Sequence, residues 1–246
     1  RQRQMCIRDR GLGNQFLANI RETEAIVHVV RAFKNDDIVH VSGKVSPIDD
    51  IEIINTELVL ADLSTVEKLY QRSLKNSKSG DKEGILLKNL LEKILPVLED
   101  GESIRQLSFN DEELKILKGF QLLTLKPVLY VANISESGFK DNTFLDEIIE
   151  YAKRDNSKVV AICADVEQQI SKFDPKEKSE YLLEMGQSDS GLDRLINAGY
   201  KLLGLQTYFT AGPEEVRAWT INIGDKAPKA ACLLYTSDAA DDRGCV

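Results

Sequence analysis

Three segments of the chain are nearly unbroken runs of apolar, mostly β-branched residues: AIVHVVRAF (25–33), PVLYVANI (127–134) and KVVAICA (158–164). A strand buried on both faces needs such a run, so each predicts a core strand. Between the second and third lies DNTFLDEIIEYAKRD (141–155), where Phe144, Leu145, Ile148, Ile149 and Ala152 share one helical face and Asp141 can cap the start. Strand, helix, strand at this spacing predicts a right-handed βαβ unit and a parallel sheet. NQFLANIRETE (14–24), with Phe16, Leu17 and Ile20 as its apolar positions and Asn14 as cap, predicts a short helix ahead of the first strand.

The stretch between the first and second strands has a different period. In residues 49–76, Ile53, Leu58, Leu60, Leu63, Val66, Leu69, Tyr70 and Leu74 form a long amphipathic stripe. The turn SKSGDKEG (77–84) interrupts it, and ILLKNLLEKILPVLE (85–99) repeats it, so the pair predicts an antiparallel helical hairpin. Pro96 is expected to end or kink the second helix. DEELKILKGF (111–120) predicts a shorter helix leading back to the sheet, which makes the hairpin an insertion. After a last helix, GLDRLINAGYKLLG (191–204), the pattern changes: QTYFTAG and EVRAWTI alternate about Gly212–Pro213 and predict a β-hairpin opening a small separate domain.

Composition fits a globular protein, with 42% hydrophobic and 29% charged residues over 246 positions. The formal net charge of −8 argues against sequence-specific DNA binding, which needs a basic face. No apolar run is long enough for a spanning helix, so no membrane association is expected. Three of the four cysteines, Cys6, Cys232 and Cys245, lie in RQRQMCIRDR (1–10) and CLLYTSDAADDRGCV (232–246). Those ends share no periodicity with their neighbours and read as non-native additions; genuine tails joined by a disulfide are the alternative. Setting them aside leaves Cys163, no disulfide framework, and a cytoplasmic location as the expectation.

Three long peptides carry a resemblance: GLGNQFLANIRETEAIVHVVRAF, HVSGKVSPIDDIEIINTELVLADL and GYKLLGLQTYFTAGPEEVRAWTI. In this order, and with the chain between them, they resemble the Obg-like ATPases, the YchF subfamily of P-loop NTPases, across residues 11–231. The resemblance implies an α/β fold: a partial G-type nucleotide-binding domain with a mainly parallel sheet (11–48 and 121–204), an inserted antiparallel helical hairpin (49–120), and the start of a small β-rich TGS domain (205–231). It further implies binding and hydrolysis of ATP with Mg2+ and association with the ribosome, through a 50S or 70S particle or ribosomal RNA. Family members carry a phosphate-binding loop, whose backbone N–H groups and Lys cradle the phosphates. Residues 11–231 contain no G-x-x-x-x-G-K-S/T. The phosphate loop and the magnesium ligands are therefore expected upstream of this chain. The fragment alone is expected to be inactive, because phosphoryl transfer depends on that positioning and charge.

What the chain retains is the base-recognition half. In relatives that bind GTP, the corresponding strand ends in Asn-Lys-x-Asp, whose Asp pairs with guanine. Here the strand ends in Asn133, Ile134, Ser135, Glu136. The longer carboxylate of Glu136 cannot occupy the Asp position without backbone movement, whereas the Asn133 amide can bond adenine N6–H2 and N7 together. Ile134 is expected to supply backbone groups and an apolar wall to the base. After the next strand, Cys163 and Ala164 are small enough for a backbone N–H to approach the base; a buried inert thiol is the simpler reading of Cys163. His40, in DDIVHVSGK, could reach a γ-phosphate as a proton relay, and a solvent-facing loop histidine is the simpler reading. His28 reads as a sheet residue and Trp219 as core. Arg72, Lys75, Lys78 and Lys82 could touch ribosomal RNA phosphates or merely form a solvated face. The rival to the ATPase is a non-hydrolytic ribosome- or protein-binding scaffold whose partner binding is biased by nucleotide.

Overall fold

The computed structural model describes residues 10–35, 43–77, 82–212, 215–228 and 230. The chain divides into two compact units, Arg1–Leu195 and Ile196–Val246.

In the first unit, helix α1 (Arg10–Arg21) precedes strand β1 (Ile26–Arg31). Asn14 lies inside α1 and not at its cap, because the helix starts earlier than its apolar positions indicate. β1 runs parallel to β2 (Val128–Asn133), and β2 parallel to β3 (Lys158–Ile162), in the order β1-β2-β3. β2 is the central strand, and its first five residues are buried, as a doubly covered parallel strand requires. The apolar run of β1 departs from that pattern. Val27 and Val29 are 50% and 65% exposed, because among the described residues β1 pairs on one edge only and is covered on the face of Ile26 and Val30.

The βαβ crossover is the helix Thr143–Arg154, α5 in chain order. Its cap is Asn142, not Asp141. The Asn142 carboxamide accepts from the N–H groups of Phe144 and Leu145, while Asp141 takes a left-handed φ of 54°. Ile148 and Ala152 on its inner face join Val128, Tyr130 and Ala132 of β2 in the sheet core.

Helix α2 (Pro47–Ser77) and helix α3 (Lys82–Glu99) form the hairpin. α2 is shared between two cores. Ile48 and Ile51, in its first turns, pack into the sheet core. From Val59 onward it builds a second core with Leu90, Leu91, Ile94 and Leu98 of α3 and Leu117 of helix α4 (Asp111–Lys118). α3 continues through Pro96 to Glu99, so the proline does not end the helix. Burial of Ile94 and Leu98 on either side of Pro96 offsets the one hydrogen bond that its missing N–H costs. Residues 164–184, which no periodicity marks clearly, form α6 (Ala164–Ile170) and α7 (Pro175–Glu184). Helix α8 (Gly191–Leu202) follows.

In the second unit, β4 (Leu205–Ala211) pairs antiparallel with β5 (Val216–Asn222) as the alternation predicts. Trp219 is half-buried, donates its indole N–H to Thr210 Oγ1 at 2.9 Å and carries the Arg217 guanidinium 4.4 Å above its ring.

Candidate functional site

Open parallel sheets bind ligands beyond the carboxyl ends of their strands. Here β2 ends at Asn133 and β3 at Ile162, which are register partners, so the turns that follow them lie side by side. Several bonds lock these turns together. Ile134 N–H donates to the Ile162 carbonyl at 2.8 Å, and Ala164 N–H donates to Asn133 Oδ1 at 3.1 Å. On the other flank, Ala32 N–H donates to the Asn133 carbonyl at 2.8 Å. Asn133 therefore joins the ends of all three strands, through its backbone on one side and its side chain on the other.

This geometry alters the expected roles. The Ala164 N–H is given to Asn133 and orients its amide, so it does not itself approach a base as expected. That leaves the Asn133 Nδ2 donors and the second lone pair of Oδ1 for a ligand, still one donor and one acceptor side by side. Ile134 is 2% exposed with its side chain in the sheet core and its N–H given to Ile162, so it does not form the expected apolar wall and offers only its backbone carbonyl. Glu136 opens a short 3-10 helix (Glu136–Phe139) and is exposed. Together with Ser135, Ser137, Phe139, Lys140, Glu184 and Met185 it lines an open groove of about 610 Å³.

Cys163 is buried at the start of α6. Burial pushes its thiol pKa up against the opposing backbone N–H groups of Val166 and Asp165, so the thiol stays protonated and unreactive. His40 lies outside the described residues, as does Lys78. His28 sits on β1 with its ring 5.7 Å from that of Tyr130. Burial lowers its pKa, with Asp50 opposing, which fits a neutral sheet residue and not a catalytic one.

Several supporting residues were not singled out from the sequence. Glu167 of α6 accepts from the N–H groups of Gly191 at 2.6 Å and Leu192 at 3.3 Å, and so caps α8. Arg194 of α8 returns a bond to the Ala161 carbonyl of β3 at 3.0 Å and places its guanidinium 5.5 Å from the Phe139 ring. Asn142 ties the turn after β2 to the end of β1. Its signal was present, since Asn caps helices as well as Asp does, but the adjacent Asp141 obscured it. Among the described residues no group of three or more His, Cys, Asp or Glu could hold a metal ion. The described residues thus offer no carboxylate cluster for magnesium.

A parallel α/β sheet with two interlocked turns at adjacent strand ends has the form of a nucleotide-binding domain. The chain is 54% identical over 226 residues to a Haemophilus influenzae protein named ribosome-binding ATPase YchF, an alignment covering 92% of this chain and 62% of that protein. A Bacillus subtilis protein of the same name is 49% identical over 229 residues, covering 92% and 63%. The solved structure of the Schizosaccharomyces pombe YchF GTPase superposes with a TM-score of 0.82 at 34% identity, covering 92% of this chain and 62% of that one. A family model described as YchF-GTPase_C, protein of unknown function (DUF933), matches residues 205–239. That match runs past residue 231, where the sequence pattern places the end of the native region. The chain belongs to the YchF family, and it spans less than two thirds of the length of these relatives. Their names attach ATP to the bacterial proteins and GTP to the yeast one, and so do not agree on the base.

Proposed function

We propose that this chain is the base-recognition part of a ribosome-associated, cytoplasmic ATPase of the YchF family, with ATP as its nucleotide. The observation that carries the reading is the Asn133 amide, held by the Ala164 N–H at the paired ends of β2 and β3 with one donor and one acceptor remaining. That pair matches adenine N7 and N6–H2; guanine offers acceptors at both N7 and O6, so the Asn acceptor would face an acceptor. Glu136, one turn further on, follows Asn133 at the spacing where GTP-binding relatives place the Asp that pairs with guanine. Hydrolysis needs phosphate and magnesium ligands, which the described residues do not supply; the family names make it the expected activity of the whole protein. Residues 11–48 and 121–204 serve as the nucleotide-binding domain, 49–120 as the helical insertion, and 205–231 as the opening of the TGS domain. The ribosome is the expected partner, by analogy with the named relatives.

The test is equilibrium binding of ATP and GTP to the full-length protein. ATP should bind more tightly, and Asn133→Ala should remove about 5- to 150-fold of that preference, since one bidentate pairing is worth about 1–3 kcal/mol. Equal affinities for the two nucleotides, or an unchanged preference in Asn133→Ala, would refute the assignment.

A further inference from the structure

We propose that Asn142 is a positioning residue for nucleotide recognition, holding the turn that carries Glu136 against the end of β1. The proposal rests on the base-site reading above and adds to it the residue that fixes the turn's geometry. A carboxamide offers two acceptor and two donor positions, and the Asn142 amide uses all four. Its Oδ1 accepts from Phe144 N–H at 3.1 Å and Leu145 N–H at 3.3 Å, which caps α5. Its Nδ2 donates to the Ala32 carbonyl at 3.1 Å and to the Gly138 carbonyl at 3.3 Å. One side chain therefore joins the start of α5, the exit of β1 and the turn after β2.

The two donated bonds bear on the site from both sides. Ala32 is fully buried, its N–H is bonded to the Asn133 carbonyl, and its own carbonyl is bonded to Asn142. Asn142 thus completes a chain from Asn133 through Ala32 to the turn that begins at Glu136. The clamp is close: a Cβ added at Gly138 would lie 3.0 Å from Asn142 Nδ2, 3.1 Å from Ser135 Oγ and 3.2 Å from Ile134 Cβ. A Cβ there is tighter than ordinary contact and presses on the amide, which gives a second and independent perturbation of the same contact.

The capping and clamping roles separate chemically. Asn142→Asp keeps both cap bonds, because a carboxylate accepts from N–H groups at a helix start. It removes both donated bonds and sets a negative oxygen against two carbonyls. In the full-length protein, Asn142→Asp should therefore keep the cap of α5 but lose the clamp, binding ATP about tenfold more weakly and losing most of its ATP-over-GTP preference. Gly138→Ala should reproduce that loss of preference by displacing the amide, and Asn142→Ala should add a lower melting temperature through the lost cap. A general loss of folded protein would lower both affinities in proportion and leave their ratio unchanged, so the ratio reports positioning. If Asn142→Asp and Gly138→Ala keep the wild-type ratio within twofold while Asn133→Ala abolishes it, the positioning role is refuted and the base site stands. If Asn133→Ala also leaves the ratio unchanged, the base-site reading fails and this proposal falls with it.

Discussion

The most exposing test of the architecture is removal of the Asp62 carboxylate. Asp62 lies on α2, has no accessible surface, and accepts from Leu123 N–H at 3.0 Å, Thr124 N–H at 2.7 Å and the Thr124 hydroxyl at 2.7 Å. Arg21 of α1 stands 3.8 Å away. Asp62→Ala would leave two buried backbone N–H groups without acceptors, at about 1–3 kcal/mol each, while the Thr124 hydroxyl can rotate to another acceptor. A loss of roughly 3–4 kcal/mol is expected, a large share of the about 5–15 kcal/mol that holds a domain folded. Asp62→Asn keeps one acceptor and turns an N–H2 group toward a donor, so about 2 kcal/mol is expected. Urea unfolding at equal m-values measures both. The carboxyl also carries a pH signature. Burial raises its pKa above the ordinary 3.8, against the bonds from Thr124 and Leu123. A group whose folded pKa is raised stabilises fully below its unfolded pKa and loses that contribution as pH rises through the folded value. The stability gap between wild type and Asp62→Asn should therefore widen from pH 7 toward pH 4. A loss under about 1 kcal/mol for Asp62→Ala, or a gap that narrows on acidification, would refute the account.

Two further outcomes follow from buried groups. Tyr130→Phe removes a hydroxyl that donates to Asp155 Oδ2 at 3.0 Å and accepts from Asn55 at 3.3 Å, and a cost of about 1.5–3 kcal/mol in thermal or urea unfolding is expected for a bond to a charged group; a neutral substitution would show that Asp155 is satisfied without it. In a variant with Cys6, Cys232 and Cys245 replaced by Ser, Cys163 should react with a thiol reagent only at the rate of local or global opening, and a rate matching an exposed thiol would contradict its burial and raised pKa.

The parts of the fold that could be read directly were those where one period dominates. Val128 to Ala132 are apolar at every position and prove to be the covered central strand, whereas the 49–76 stripe holds only in part: Val66, with Leu63, Leu69 and Tyr70 against it, enters the hairpin core, but Ile53 and Leu60 are 46% and 54% exposed and Val59, which the stripe leaves out, is buried there instead. β1 carries an equally apolar run, but covering is a property of neighbours, so the exposure of Val27 and Val29 could not be seen in it. Ile134 misled for the reverse reason: next to a polar Asn at a strand end it looks available, but its side chain turns into the core under α5. Asn133 was legible because its position after β2 defines its place. The bond that holds its amide comes from Ala164, 31 positions away in sequence, and such a partner is fixed only when β3 pairs with β2.

The insertion is not joined to the sheet by a simple hinge. Asn55, two turns into α2, donates to the hydroxyls of Tyr130 and Tyr151 at 3.3 and 3.0 Å. From the other end of the insertion, Arg105 places its guanidinium 3.5 Å from the Asp155 carboxylate, which Tyr130 and Ser157 also bond. Both Arg105 and Asp155 side chains are 7% exposed. An ion pair at that depth is strongly destabilised if one partner is withdrawn, because the remaining charge stays buried and unpaired. Displacing the root of the hairpin relative to the sheet would break Asn55 from Tyr130 and Arg105 from Asp155 at the same time. The root of α2, the segment at Arg105 and β2 are thus one packed body, and Tyr130 stands three residues before Asn133 on the strand that presents it. A ligand that shifted the hairpin's root against the sheet would therefore strain this buried group of side chains directly beneath the end of β2.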